Sequence, residues 1–228
     1  MKRRLCLLLA LPGLAAAQDD PGAFLGAGVR SLPEYDGSSQ QEVDVIPIVR
    51  WYGETFFART SQGILEGGAR KELLPGLVAG AQIAYEAGNE RTDLDWGASY
   101  GLHLEWDTKV GPAPVTLLAR TRYHFDTDQG AQTDLRATVG VYGSHGFLAG
   151  VFGQATWATS EWVRSYYGAG DGGLLHTNLG IEGGYTISRQ WLAVASLSSR
   201  WLHGDAATSP ITERKRNTYA SAGLAYRF

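Results

Sequence analysis

Few side chains in this sequence could do chemistry, and they recur at every second position. His103 and Glu105 stand two apart, as do Arg120 and Arg122, and Asp134 and Arg136; His124, His176 and Glu182 complete the set. Three chemistries come into question. A serine beside a histidine, oriented by a third polar group, would make a nucleophile. His103, Glu105 and His176 could ligate a metal, although no local spacing matches a known ligand set. Arginines interleaved with carboxylates could build an ion-pair network or line a solute path. Which of these applies depends on where the side chains point, and so on the elements that carry them.

Those elements read as strands. Apolar residues recur with period two, the mark of a half-buried strand. Trp96, Ala98, Tyr100, Leu102, Leu104 and Trp106 share one face; His103 and Glu105 lie on the other. From Pro114 to Phe125, Val115, Leu117, Ala119, Thr121 and Tyr123 oppose Arg120, Arg122 and His124. Leu135, Ala137, Val139 and Val141 oppose Asp134 and Arg136. Phe147 to Trp157, Leu175 to Tyr185, Trp191 to Trp201 and Ala220 to Phe228 repeat the pattern, with Leu175, Leu179 and Ile181 on an apolar face and Glu182 opposite. None of these apolar faces carries a charge. Weaker strands occupy Ala23 to Arg30, Val43 to Tyr52, Thr55 to Ser61, Ile64 to Arg70 and Leu77 to Ala87. The count is about twelve, or ten if Gln62-Gly63 is not a hairpin turn. Helical periodicity is missing, and no stretch beyond Ala17 has the 18 or so apolar residues of a spanning helix.

A soluble barrel and a membrane barrel would both sort residues this way. The aromatic spacing separates them. Trp96 and Trp106, Phe147 and Trp157, and Trp191 and Trp201 lie ten residues apart on one face. Ten residues at about 3.3 Å each, tilted, project to roughly 25 Å, the height of a lipid-facing band between two aromatic girdles. Short turns are expected at Gly53-Glu54, Ser144-His145-Gly146 and Ser188-Arg189-Gln190. Longer segments run through Leu32 to Gln41, Gly88 to Leu94, Asp126 to Ala131, Ser160 to Gly173 and His203 to Arg216. Outer-membrane barrels alternate short periplasmic turns with long external loops in this manner. The fold class is therefore a transmembrane antiparallel up-and-down β-barrel. Outward-facing Tyr226 and Phe228 end the chain like the signal read by the outer-membrane insertion machinery.

The first residues are expected to be removed. Lys2, Arg3 and Arg4 precede an apolar run from Leu5 to Leu14 and the small residues Ala15-Ala16-Ala17. This is the pattern of a Sec-type signal peptide over residues 1–17, cleaved after Ala17, with the barrel in 18–228 and the outer membrane as destination. Cys6, the one cysteine of the 228 residues, would leave with it, so no disulfide framework is available. Removing three of the 20 basic residues leaves 17 against 23 acidic ones. That balance argues against nucleic acid as a partner. The mean hydropathy of −0.17 averages a lipid face with a polar interior.

Several short motifs occur in a fixed order: Gly26-Ala27-Gly28-Val29, Pro33-Glu34-Tyr35-Asp36-Gly37, Ile46-Pro47, Ser165-Tyr166-Tyr167-Gly168, Gly204-Asp205, Ser209-Pro210-Ile211 and Tyr226-Arg227-Phe228. In this order they resemble the MipA/OmpV family, named for an MltA-interacting protein, over nearly the whole mature chain. After Gly168 the family often has a longer loop than Ala169 to Gly173. The resemblance implies a non-catalytic outer-membrane scaffold that brings a lytic transglycosylase near a peptidoglycan synthase. It implies no catalytic residue, metal or cofactor.

By parity, His103, His124 and His176 point inward, away from lipid, so a lipid-side nucleophile fails on geometry. Arg120, Arg122, Asp134, Arg136, Glu105, His103 and Glu182 should form a lumen charge network, with Arg122 nearly opposite Asp134. Two other functions stay open: a small-solute channel, and a surface adhesin using the two longest loops. Trp162, Tyr166 and Tyr167 would then be either contact residues or part of the outer girdle.

Overall fold

A computed structural model describes residues 23–61, 64–86, 92, 97–125 and 129–228. The expected leader and Trp96 lie outside these residues. The strands are β1 (Phe24–Pro33), β2 (Gln41–Tyr52), β3 (Phe56–Ser61), β4 (Ile64–Leu74), β5 (Leu77–Glu86), β6 (Gly97–Val110), β7 (Ala113–His124), β8 (Ala131–Ser144), β9 (Phe147–Ala158), β10 (Gly173–Thr186), β11 (Trp191–Leu202) and β12 (Arg216–Arg227), with helix α1 (Ser160–Tyr167) between β9 and β10. Each strand pairs antiparallel with its chain neighbour, and β1 pairs with β12 from Phe24↔Arg227 to Ser31↔Ala220. The twelve strands of the described residues thus close into a barrel, and the ten-strand alternative is excluded.

Alternation sets the two faces. Leu102, Leu104, Leu179 and Ile181 are exposed on the outside, while Ser99, Arg120, Thr138 and Thr156 are almost wholly buried inside. The interior is polar and the exterior apolar, the reverse of a soluble core. Trp106, Phe147, Trp157 and Trp191 stand exposed on the outer face; Trp201 is half covered, with Arg216 against its ring. The start of β1 and the end of β12 share an end of the barrel with the short turns. One of these turns puts His145 and Gly146 at positive φ (52° and 82°), the geometry a two-residue hairpin needs to match strand twist. In an outer-membrane barrel this end faces the periplasm.

Three expectations need correction. Leu175 is not on the lipid face. The register slips between Leu174 and His176, and this bulge turns Leu175 inward to 2% exposure while Leu174 stays outside. The segment from Ser160 is not all loop, because Thr159 caps an eight-residue helix by accepting from the Trp162 N–H. The last strand starts at Arg216 rather than Ala220.

Candidate functional site

The interior holds a chain of ion pairs that crosses the lumen. Arg59 on β3 bonds Glu66 on β4 and, at 2.7 Å, Glu105 on β6. Glu66 reaches Arg120 on β7 at 2.8 Å. Arg120 and Arg122 then share Oδ2 of Asp134 on β8, at 2.8 and 3.1 Å. Strands β4 and β7 are not neighbours in the sheet, so the Glu66–Arg120 bond spans the interior rather than following the wall. Three arginines meet three carboxylates, and the chain is neutral. A separate pair joins Arg136 to Glu182 at 2.7 Å, with Arg136 stacked 3.8 Å from the Phe152 ring centre.

Every residue expected in the network is therefore inside, but the register differs. Arg120 is the residue opposite Asp134, and Arg122 faces Gln132. Arg122 reaches Asp134 only diagonally, because arginine is long enough to do so. Arg59 and Glu66 were missed, although parity on the weak strands Thr55 to Ser61 and Ile64 to Arg70 places both inward. The histidines are dispersed. His103 Nδ1 lies 2.7 Å from Gln82 Oε1, and His124 Nε2 accepts from the Trp162 indole at 3.3 Å. His176 is buried, and neither ring nitrogen has a hydrogen-bond partner among the described residues. Glu105, the third member of the possible metal set, is taken by Arg59.

The outer mouth is capped. Trp162, Val163 and Tyr167 of α1 pack with Ala158, Leu175, Leu202 and Ala206 in one buried cluster. Trp162 and Tyr166 stack with ring centres 4.8 Å apart. Trp162 and Tyr167 are thus neither girdle nor free contact residues; they face into the cap. Four of the seven family-like motifs converge here. The Tyr35 hydroxyl donates to the Ile211 carbonyl at 2.8 Å. Gly37, at φ 105°, donates its N–H to Asn217 Oδ1 at 2.9 Å. The Asp36 N–H donates to the Tyr166 hydroxyl, and Ser209 Oγ donates to the Tyr167 carbonyl at 2.9 Å. Gly168 closes α1 in the left-handed region. Asp205 accepts from the Asp171 N–H at 2.7 Å, just after Gly204 turns the chain at φ 53°. Ser165 lies on α1 and Pro210 is exposed beside Ser209. Pro47, away from the cap, accepts from Thr60 Oγ1 on the barrel wall.

Asp36 ties the cap to the lumen. Its carboxylate bonds both Arg200 on β11 and the Tyr219 hydroxyl on β12. Burial works against ionising this carboxyl, but Arg200, His176 and the Tyr219 hydroxyl outweigh it and hold it below the usual range. At the opposite end Phe24, Leu192 and Ala225 pack with Ile48, Leu148 and Val194 into an apolar stopper. Between cap and stopper lies a cavity of about 140 Å³.

The family model for MltA-interacting protein MipA matches residues 25–228. The chain belongs to the MipA family. No curated protein matches it in sequence. An outer-membrane channel of Pseudomonas putida F1 is similar in structure, with a TM-score of 0.57 at 12% identity over 96% of this chain and 100% of the channel. The NanC porin aligns with a TM-score of 0.58 at 9% identity, over 90% of this chain and all of the porin. At such identities the likeness concerns the fold: this MipA-family chain has the fold of outer-membrane barrels.

Proposed function

We propose that this MipA-family barrel is a non-catalytic interaction protein that serves complexes of murein synthesis and hydrolysis. The stoppered lumen carries the reading. A path for solutes would need an open interior, whereas here an ion-pair chain crosses the bore, a helix-bearing cap covers one mouth and an apolar cluster narrows the lumen towards the other. A barrel closed in this way suits a rigid platform whose work is done at its surface. The family's name, MltA-interacting protein, points to a lytic transglycosylase as one partner, and a peptidoglycan synthase is the second expected. His103, Glu66, Glu105, Asp134 and Glu182 face inward and are engaged by Gln82 or by arginines, which fits a role without chemistry.

A channel is the second reading. It is favoured by the channel and porin among the similar structures and by the internal cavity. One pair of measurements separates the two. Photo-crosslinkers placed in the periplasmic turns, used in the native membrane, should capture murein enzymes, while planar bilayers should show little or no conductance. Large steady channels with no murein enzyme captured would reject the scaffold and promote the channel.

A further inference from the structure

The outer rim of the lipid-facing surface has two different sides. On one side it is aromatic. Tyr85 of β5, Tyr100 of β6 and Tyr123 of β7 are exposed, and Tyr100 stacks on Tyr123 with ring centres 5.8 Å apart. On the side formed by β10, β11 and β12 the rim is basic and hydroxylated. Arg214, Lys215 and Arg216 lead into β12, and all three are exposed. After residue 4 the sequence has no other run of three basic residues, and its acidic residues outnumber the basic ones by 23 to 20. Composition alone therefore gives no reason for such a run.

Arg216 points outward, since its neighbour Asn217 is buried and Arg216 itself pairs with Trp201 across β11 and β12. Its guanidinium lies over the Trp201 ring, 5.1 Å from the centre, and donates to Ser199 Oγ at 3.1 Å. Along the outward strand faces of the described residues the other charged side chain is Lys71 of β4, near the periplasmic end. A cation on a lipid face is tolerated at the interface and not at mid-depth, so Arg216 and Trp201 stand at the level of the lipid head groups. The surface below them is polar as well. Ser199 pairs with Thr218, one step of about 7 Å deeper along the strands. Thr177, beside Trp201, lies 2.8 Å from His203 Nε2. The basic segment is also held in place. The Arg214 N–H donates to the Gly37 carbonyl at 2.9 Å, and the Lys215 carbonyl accepts from the Leu202 N–H at 2.8 Å. Glu213, the adjoining acid, accepts from the N–H and hydroxyl of Ser39. Cations fixed in this way lose little freedom when an anion binds them.

A phosphate at the level of Arg216 would complete this surface, with a group beneath it that both donates and accepts hydrogen bonds at Ser199 and Thr218. Below its phosphate a glycerophospholipid offers only ester oxygens, which accept; a sugar offers hydroxyls that do both. We propose that the β10–β12 sector of the outer rim holds the head of a phosphorylated glycolipid of the outer leaflet. Its phosphate lies on Arg216, with Lys215 and Arg214 beside it, and its sugar on the step formed by Ser199 and Thr218. This does not depend on which protein docks on the barrel.

The test uses the full chain, folded in a neutral detergent. Each variant is first shown to be folded by its heat-dependent shift on a gel. Native mass spectrometry then counts bound lipid in titrations with diphosphoryl lipid A, its dephosphorylated form and phosphatidylglycerol. Diphosphoryl lipid A should bind most tightly of the three. Arg216→Gln should weaken it about fivefold, and Arg214→Gln, Lys215→Gln and Arg216→Gln together on the order of a hundredfold. Ser199→Ala with Thr218→Val should bring lipid A down to the affinity of phosphatidylglycerol. Lys71→Gln, towards the other end of the wall, should leave binding unchanged. If the triple variant binds like the wild type, or if Lys71→Gln weakens binding as much as Arg216→Gln, the sector is not the site and the proposal falls. Equal binding of the dephosphorylated lipid would overturn the role given to phosphate. Phosphatidylglycerol binding as tightly as lipid A in the unaltered chain would overturn the role given to the sugar. None of these outcomes changes whether murein enzymes are captured.

Discussion

Replacing Asp134 by asparagine puts the lumen network to its hardest test. The Asp134 carboxylate accepts five hydrogen bonds: two from Arg120, one from Arg122, one from Thr156 and one from Gln154. Its partners all present donors to it. An asparagine of nearly the same size can accept at one end, but its amide nitrogen must then face N–H or O–H groups. The charge balance fails too. Three arginines would be left with Glu66 and Glu105 alone, and Arg120 and Arg122 are 1% and 5% exposed. Breaking a buried pair from one side costs about 3–5 kcal/mol, because the remaining charge stays desolvated. At about 1.4 kcal/mol per factor of ten, that lowers the folding equilibrium by roughly two to four orders of magnitude. The assay is urea unfolding of the refolded barrel in lipid vesicles, followed by tryptophan emission. Pairing Asp134→Asn with Arg122→Gln restores neutrality, so the double variant should be more stable than the sum of the singles by about 1–3 kcal/mol. A loss below about 1 kcal/mol for Asp134→Asn, with no coupling, would mean that water screens the network and that the lumen is wetter than its burial implies.

Other perturbations probe the wall and the cap. Leu102→Arg, at mid-depth on the lipid face, should cost about 2–4 kcal/mol in the same assay, whereas Val110→Arg, at the end of β6, should cost about 0–1 kcal/mol; equal losses would overturn the assigned membrane depth. Thr159→Ala removes the cap of α1 and should cost about 1 kcal/mol, seen as faster protease cutting between Ser160 and Gly173 on intact cells. The Asp36 carboxyl is depressed when folded, so its contribution is complete above the unfolded value of about 3.9 and is lost as pH falls through the lower folded value. Protease resistance of the cap should therefore hold from pH 8 to 5 and fail only in stronger acid, and Asp36→Asn should lower it across pH 8 to 5 with a difference that closes in stronger acid.

What could be read from the sequence was whatever depends on parity along one strand. A period of two puts Arg120, Asp134 and Glu182 inside and Leu102 and Trp106 outside without any knowledge of pairing. The C-terminal strand and the girdle follow from the same count. Which residue meets which is a different question, because it depends on register, and register is set by turns and bulges. A single extra residue between Leu174 and His176 moved Leu175 from lipid into the cap. The position of Arg122 opposite Gln132 rather than Asp134 came from the same kind of uncertainty. Arg59 and Glu66 were legible in parity but sat on strands too short to stand out. The cap was least legible of all. Tyr35, Gly37, Tyr166, Ser209 and Asn217 are scattered over nearly the full chain, and nothing local in any of them shows that they meet. Yet four of these five, Tyr35, Gly37, Tyr166 and Ser209, fall in the family-like motifs, whereas the lipid face needs only apolar residues of any kind. In such a barrel, specific residue identity is demanded where side chains close a mouth or balance a charge. For that reason the cap and the ion-pair chain, rather than the girdles, are the places where substitution should separate one function from another.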